Sequence, residues 1–405
     1  MENKMKVIIG ADVSTKTNKE YVDEAFCETL LRDMKPVLAT ADFRIINLEN
    51  VLCDEGVGAP IIKSGPNLFG YPKNIAFFNA CKCDCAVLAN NHFGDFGEEA
   101  IASTLDVLKE NNIARLGGGM NKKEAYEAWY AEKDGIRVAF ISVCENEFGC
   151  ATDTKPGAAG FDMKYLRDRI VEEKKNSDFV VVIFHGGNET NPIPAPAAVD
   201  RYRLIIDLGA DALVAAHTHC MQGYETYEGK PIIYSMGNFF FRSSNPAALA
   251  NDHPWNYGYL TQLNIEKGKN ITFELIPYAL LNEGDWLHVL DGEDKKIIMA
   301  YLEKLSAIIK DPVALQDYFD AWCIISGIGY SRTLSSYTAE LDATDELSDD
   351  LRSVAAKVRN LFSCESHNFL LTNLFRMEYE GRMEKARALV PELQELRKIP
   401  KISLS

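Results

Sequence analysis

Between Met1 and about Asn282, short apolar runs alternate with longer stretches whose apolar residues recur at three and four spacing. A fully buried strand reads as a short continuous apolar run and an amphipathic helix as a three-and-four stripe, so this alternation predicts α/β layering around buried sheet. Strands are expected at residues 6–9, 44–48, 85–89, 137–143, 179–184, 212–215 and 232–234, and helices at 19–32, 72–80, 97–111, 163–175 and 196–208. The runs 259–265 and 271–277, split by Glu266-Lys267-Gly268-Lys269-Asn270, read as an edge hairpin.

After Glu283-Gly284-Asp285 the strand-like runs give way to amphipathic helices. Ile297, Ile298, Tyr301, Leu302, Leu305, Ile308 and Ile309 form one stripe, and Asp311-Pro312 then caps and opens the next helix. The acidic stretch 342–350 reads as a solvated connector, and helices are expected at 351–359, 367–377 and 381–397. A chain of 405 residues exceeds what one core usually holds. Two units follow, an α/β domain over 1–282 and a helical region over 283–405.

Polar residues collect where the predicted strands end, the edge at which open α/β sheets build their sites. Asp12 follows the first strand and Glu49 the second. Asn90-Asn91-His92, with Asp95 and Gly97, follows the third. His185 ends the 179–184 strand, His217-Thr218-His219 ends the 212–215 strand, and Gly237-Asn238 follows the last. Of the seven histidines in the chain, four stand at such positions. One of them alone reads as a structural residue, and Asp12 or Glu49 alone as a helix cap. Together the two carboxylates, the amide and the three imidazoles of His185, His217 and His219 are the oxygen and nitrogen donors that hold borderline divalent cations.

An extended backbone would send the His217 and His219 rings to opposite sides, whereas a turn fans them toward neighbouring cations. Glu49 is the candidate bridge between two ions, a pair that activates one water and polarises one substrate oxygen. His92, beside the amide Asn91, is placed to protonate a leaving group, and Asp95 to orient it.

Acidic residues outnumber basic ones 59 to 43, a formal charge of −16 that repels phosphate backbones and anionic membranes. Nucleic acid is thereby an unfavourable broad-surface partner, while a local pocket for a small anion is allowed. No run of about 18 apolar residues is present and the start has no long apolar core, so a cytoplasmic protein without a membrane span is expected. The ten scattered cysteines then read as reduced thiols.

The motifs Leu88-Ala89-Asn90-Asn91-His92 with Asp95 and Gly97, Asn47-Leu48-Glu49, His185-Gly186-Gly187 with Glu189, His217-Thr218-His219 with Gln222, Gly223 and Glu225, and Tyr234-Ser235-Met236-Gly237-Asn238-Phe239 resemble the bacterial CapA family. This is the capsule-synthesis or poly-gamma-glutamate biosynthesis type of protein, similar in fold to calcineurin-like metallophosphoesterases. The resemblance spans about residues 6–241 and implies a four-layer α/β/β/α metallophosphatase-like sandwich with a C-terminal helical extension. It implies Asp12, Glu49 and His219 around one metal and Glu49, Asn91, His185 and His217 around the other, with His92 where related phosphoesterases keep their catalytic histidine. Up to two divalent ions are expected, with Mn, Zn, Fe and Mg not distinguished. Two departures stand out: Ser14 replaces the histidine usual two residues after the first aspartate, and the bridge is Glu49 rather than an aspartate.

The substrate-binding set expected around the cleft is Arg44, Lys63, Asn67, Glu189 and Asn238, with Lys16 and Arg242 as further positive charges. Lys63-Ser64-Gly65-Pro66-Asn67 reads as an exposed loop, and Glu145-Asn146-Glu147 as another rim. Plain readings suffice elsewhere: Cys81, Cys83 and Cys85 as buried thiols, Gly117-Gly118-Gly119 as a turn, Cys364-Glu365-Ser366-His367 as a helix start. The leading expectation is a metal-dependent hydrolase of capsule or poly-gamma-glutamate metabolism that acts on or binds an anionic gamma-glutamyl polymer. The alternatives are a metallophosphoesterase acting on a small phosphate ester, and a non-catalytic polymer-binding or assembly subunit.

Overall fold

The computed structural model describes residues 4–15, 24–243, 245–250, 252–281, 286–343 and 349–404. Lys16, the first part of the expected 19–32 helix, the boundary residues 283–285 and the middle of the 342–350 connector lie outside them.

Two sheets carry the α/β domain. The first is eight-stranded and runs Trp286–Val289, Thr272–Leu281, Tyr257–Glu266, Lys4–Ser14, Phe43–Leu48, Cys85–Val87 and Ala114–Leu116, with Asn238–Phe241 also pairing to Lys4–Ser14. The second is six-stranded and runs Tyr224–Tyr227, Lys230–Ile233, Ala212–Ala216, Phe179–His185, Ile136–Cys144 and Trp129–Lys133. Every residue of Phe179–His185 and Ala212–Ala216 is buried, as parallel strands covered on both faces must be. The sheets pack on each other, helix Gly97–Glu110 lies on the first, and Met163–Asn176 and Pro196–Asp207 lie on the second. The layer order is α/β/β/α.

Parallel pairing brings the site together. Lys4–Ser14 pairs in parallel with Phe43–Leu48, and Phe43–Leu48 with Cys85–Val87, so all three end at one edge. Phe179–His185 and Ala212–Ala216 pair in parallel in the second sheet, with His185 opposite Ala216. A register shift between Gly10 and Asp12 breaks the first ladder just before the aspartate, the device by which a strand re-aims one side chain.

The structure corrects one expectation about the first sheet. Tyr257–Glu266 and Thr272–Leu281 form the expected hairpin, but not at an edge: the first strand pairs with Lys4–Ser14 and the second with Trp286–Val289. The first tail helix begins at Gly292, and the Trp286–Val289 strand lies beyond the 282/283 division expected from sequence. The run is only four residues long, too short for periodicity to mark it.

The tail comprises Gly292–Lys310, Pro312–Ala343, Asp349–Ser363, Glu365–Glu380 and Met383–Leu396, with the long second helix touching the other four. Asp311 Oδ1 accepts from the amides of Val313 at 2.9 Å and Ala314 at 3.2 Å, the cap that its Asp-Pro sequence foretells. The tail docks on strand-end loops of the second sheet. Glu365 accepts from the Asn146 backbone at 2.9 Å and from its side-chain amide at 2.6 Å, and Asn188 Nδ2 donates to the Ser366 carbonyl at 3.3 Å. Among the described residues no helix is long and apolar enough to cross a membrane, and all ten cysteines are free thiols.

Candidate metal centre

Asp12, Glu49, Asn91, His185, His217 and His219 meet between the two sheets at the strand ends. Around Glu49 the donors fall into two groups. His185 Nε2 lies 3.0 Å from both Asn91 Oδ1 and His217 Nδ1, and 3.5 Å from Glu49 Oε1. On the other side His219 Nδ1 is 3.6 Å from Asp12 Oδ2, and its Nε2 is 3.9 Å from Glu49 Oε1. The groups Glu49–His185–His217 and Asp12–Glu49–His219 can each converge on one ion. Donors 3.0 to 3.5 Å apart match the edges of the polyhedra that ligand bonds of about 2.1 Å define.

Local backbone explains the fan of imidazoles. His217 and His219 both adopt positive φ, +106° and +53°, conformations that L-residues hold only where surrounding structure compels them. Asp12 Oδ2 accepts the His217 backbone N–H at 3.0 Å and so fastens this turn to the first sheet. The ring centroids of His185 and His217 are 4.7 Å apart, and those of His217 and His219 are 5.9 Å apart.

The electrostatics of the cluster fit a cation. Both Glu49 carboxylate oxygens are buried without a hydrogen-bond partner, a costly state for an acceptor surrounded only by imidazoles and a second carboxylate. Burial raises the Glu49 carboxyl above its ordinary value, and burial together with the Glu49 charge raises Asp12. Burial also lowers His185 to about 4, and burial with the neighbouring His185 lowers His217, so both rings stay neutral and able to coordinate. For His219 burial pulls downward, but Glu49 and Asp12 beside it prevail and raise it. The two donor groups are unequal in number, four with Asn91 counted and three on the Asp12 side. Ser14, two residues after Asp12, has a buried hydroxyl without a hydrogen-bond partner.

His92 lines the adjoining cavity, and its Nδ1 is 2.7 Å from Asp95 Oδ2 and 3.1 Å from Lys63 Nζ. Asp95 is fully buried and also accepts from Lys63 and from the Leu68 backbone at 2.7 Å. With Nδ1 engaged, proton exchange with a bound ligand falls to His92 Nε2.

The substrate-binding set fares differently. Glu189 is exposed and lines the cavity. Lys63 also lines it, but its ammonium is turned to Asp95 and His92 rather than left for a ligand. Asn67 instead braces its loop by donating to the Ile61 carbonyl at 3.1 Å. Asn238 stands behind His219, accepting at Oδ1 from Nδ1 at 2.8 Å while its Nδ2 donates to the Trp255 carbonyl. That bond keeps the proton on Nδ1 and leaves His219 Nε2 facing Glu49. Arg44 is misplaced: it lies near the start of its strand, away from the site edge, bound to Asp84 and to the carbonyls of Leu38, Ala41 and Lys82. Its place at the head of the 44–48 run was the signal against a role at the strand's far end.

Several residues take roles that the reading from sequence did not assign to them. Asn47 Nδ2 donates to Asp12 Oδ1 at 2.8 Å, and its Oδ1 accepts from Asn90, linking neighbouring strand ends. Glu145 pairs with Arg201 at 2.9 Å in the interior, and the guanidinium lies over the rings of Phe161, Phe184 and the tail's Phe369. Glu147 approaches His217 Nε2 at 4.0 Å, behind the nitrogen that faces the cluster. The cavity, about 350 Å³, is walled on one side by the tail through Trp322, Tyr330 and His367. The apolar stripes of the tail helices signal packing only, and nothing local marks those three as wall residues.

Layers and site define the chain as an α/β/β/α sandwich protein with a candidate centre for two divalent cations at its strand ends. It belongs to the family described as bacterial capsule synthesis protein PGA_cap, whose profile matches residues 7–243. Similar proteins include the capsule biosynthesis protein CapA of Bacillus anthracis, 27% identical over 64% of this chain and 67% of that one. The PGA biosynthesis protein CapA of Bacillus subtilis is 31% identical over 47% of this chain and 49% of its own length. The matches thus span about half to two-thirds of these curated relatives. Among solved structures, a putative 5'-nucleotidase from Staphylococcus aureus in complex with alpha-ketoglutarate superposes with a TM-score of 0.43 at 14% identity, covering 74% of this chain and 58% of that one.

Proposed function

We propose that this protein is a metal-dependent hydrolase of capsule or poly-gamma-glutamate metabolism, acting at the end or on a short segment of an anionic gamma-glutamyl polymer. The observation that carries the reading is Glu49, whose two buried, unpartnered oxygens stand between two sets of neutral or orientable donors. The names of the relatives support the substrate class: PGA biosynthesis protein CapA, and a probable polyglutamine synthesis accessory protein of Mycobacterium tuberculosis. Cavity size supports the short segment, since about 350 Å³ is near the lower end of ligand sites, about 300–1,000 Å³.

Asp12, Glu49 and His219 would hold one divalent ion, and Glu49, Asn91, His185 and His217 the other. Bound there, the ions supply a water activated near neutral pH and a polarised substrate oxygen. The chain's own residues do the rest. His92 delivers a proton from Nε2 to the leaving group, Asp95 and Lys63 hold its ring, and Asn238 holds His219. Glu147 and Glu189 make the cavity wall acidic and Lys63 is paired, so attraction for an anionic ligand depends on the cations.

The test is turnover of gamma-glutamyl peptides against a panel of phosphate esters, each with Mn²⁺ or Zn²⁺. Hydrolysis of the peptides, lost on chelation, upholds the proposal, and hydrolysis of phosphate esters alone replaces it with a phosphoesterase. A polymer-binding subunit without catalysis is the second reading, favoured by the missing nitrogen donor at Ser14. Tight polymer binding with less than one equivalent of metal and no turnover would establish it.

A further inference from the structure

Beside the cavity the tail builds a second constellation that no part of the proposed reaction uses. Glu147 comes from the loop after strand Ile136–Cys144, while Cys364 and His367 come from the start of helix Glu365–Glu380. One potential ligand atom from each lies within 4.8 Å of the others. Asn360, 1% exposed, adds an amide at the same spot: its Nδ2 is 3.0 Å from Glu147 Oε2 and 3.3 Å from His367 Nδ1, and its Oδ1 has no hydrogen-bond partner. Turning that amide over presents the stranded oxygen to the cluster, where the Ser64 hydroxyl, which accepts from Nδ2 at 3.1 Å, can donate to the oxygen instead.

We propose that Glu147, Cys364 and His367, completed by Asn360, form a separate site for a thiophilic divalent ion such as Zn²⁺, which clamps the helical tail to the α/β domain at the cavity wall. Sulfur, imidazole and carboxylate in one place are a zinc-type donor set, unlike the thiolate-free centre around Glu49. Bonds of about 2.0 Å to nitrogen or oxygen and 2.3 Å to sulfur require donors about 3.3–3.5 Å apart, which atoms within 4.8 Å of one another reach by closing no more than about 1.5 Å. Charge favours the ion. Glu145 is balanced by Arg201, whereas the Glu147 carboxylate bonds the neutral Asn360 amide and stands 4.0 Å from His217 Nε2.

Burial and the carboxylates of Glu145 and Glu147 push the Cys364 thiol well above its ordinary range, so without an ion it stays protonated, 3.5 Å from Glu145 Oε2. Coordination forms the metal–sulfur bond and releases the thiol proton to solvent.

Cobalt titration of the full chain tests this, because thiolate bound to Co²⁺ gives a near-ultraviolet charge-transfer absorption that nitrogen and oxygen ligands do not. The band is expected in the unaltered protein and in N91A, which damages only the centre around Glu49. It is expected to vanish in C364S and to need at least tenfold more Co²⁺ in H367A. If C364S does not fold, H367A and N360A carry the test, since both keep the thiol and the latter removes only the amide. No band at saturating Co²⁺, or a band undiminished in C364S or unshifted in H367A, overturns the site. Loss of metal-dependent turnover in N91A with the band retained would bear on the hydrolase reading alone.

Discussion

The two halves of the centre around Glu49 share one carboxylate and little else. On one side His185 Nε2 lies 3.0 Å from both Asn91 Oδ1 and His217 Nδ1, with both imidazoles lowered by burial. On the other, Asp12 and His219 stand 3.6 Å apart, with the imidazole raised by the carboxylates it faces. The difference teaches that a bridging carboxylate does not make a symmetric pair. The halves differ in donor number and in the charge around each imidazole, the Asn91 side having more donors and the Asp12 side more negative charge.

Breaking the half with more donors should have the largest effect. H217A or N91A is expected to abolish metal-dependent turnover and to lower bound metal by more than about a hundredfold in affinity, since even a partner behind a ligand is worth about 10–100-fold. Elemental analysis after dialysis measures this, and full metal retention with unchanged turnover in both variants would discard the centre. Loosening the half with fewer donors should cost less. N238A frees His219 to turn, and a loss of about 10–100-fold in affinity for one ion only is expected by calorimetry.

The contrast can also be reduced. S14H adds a nitrogen where a buried hydroxyl has no partner, so a second equivalent of metal should survive dialysis that strips it from the unaltered chain. If stoichiometry does not change, Ser14 is not the cause of the asymmetry. The smallest expected effect is on pH. A coordinating imidazole must be neutral, so a raised value makes protons compete earlier on acidification and a lowered one later. His219, raised above its ordinary value, should release its ion first as pH falls, before the half containing His185, which burial lowers to about 4. Simultaneous loss of both ions on stepwise acidification would contradict the split.

How far the site was legible depended on the kind of information each residue carried. Asp12, Glu49, Asn91, His185, His217 and His219 follow apolar runs, and parallel strands deliver their ends to one edge, so order along the chain already implied proximity. Asn238 showed its position but not its task, because whether it meets a ligand or His219 depends on the 2.8 Å contact formed on folding. Lys63 is similar: its loop was apparent, but its bond to Asp95, 32 positions away, was not.

By itself, the amino-acid order determined the layering, the family motifs and the edge at which donors gather, because hydrophobic period and parallel pairing are local rules repeated along the chain. Only the tertiary structure decided that Arg44 turns from the site, that a short strand at Trp286–Val289 extends the sheet, and that the helical tail walls the cavity with Trp322, Tyr330 and His367. Contacts such as Asn360 with Glu147, 213 positions apart, arise when separately formed surfaces meet. Polar side chains choose partners by what burial brings within hydrogen-bond reach, and no period in the sequence records that choice.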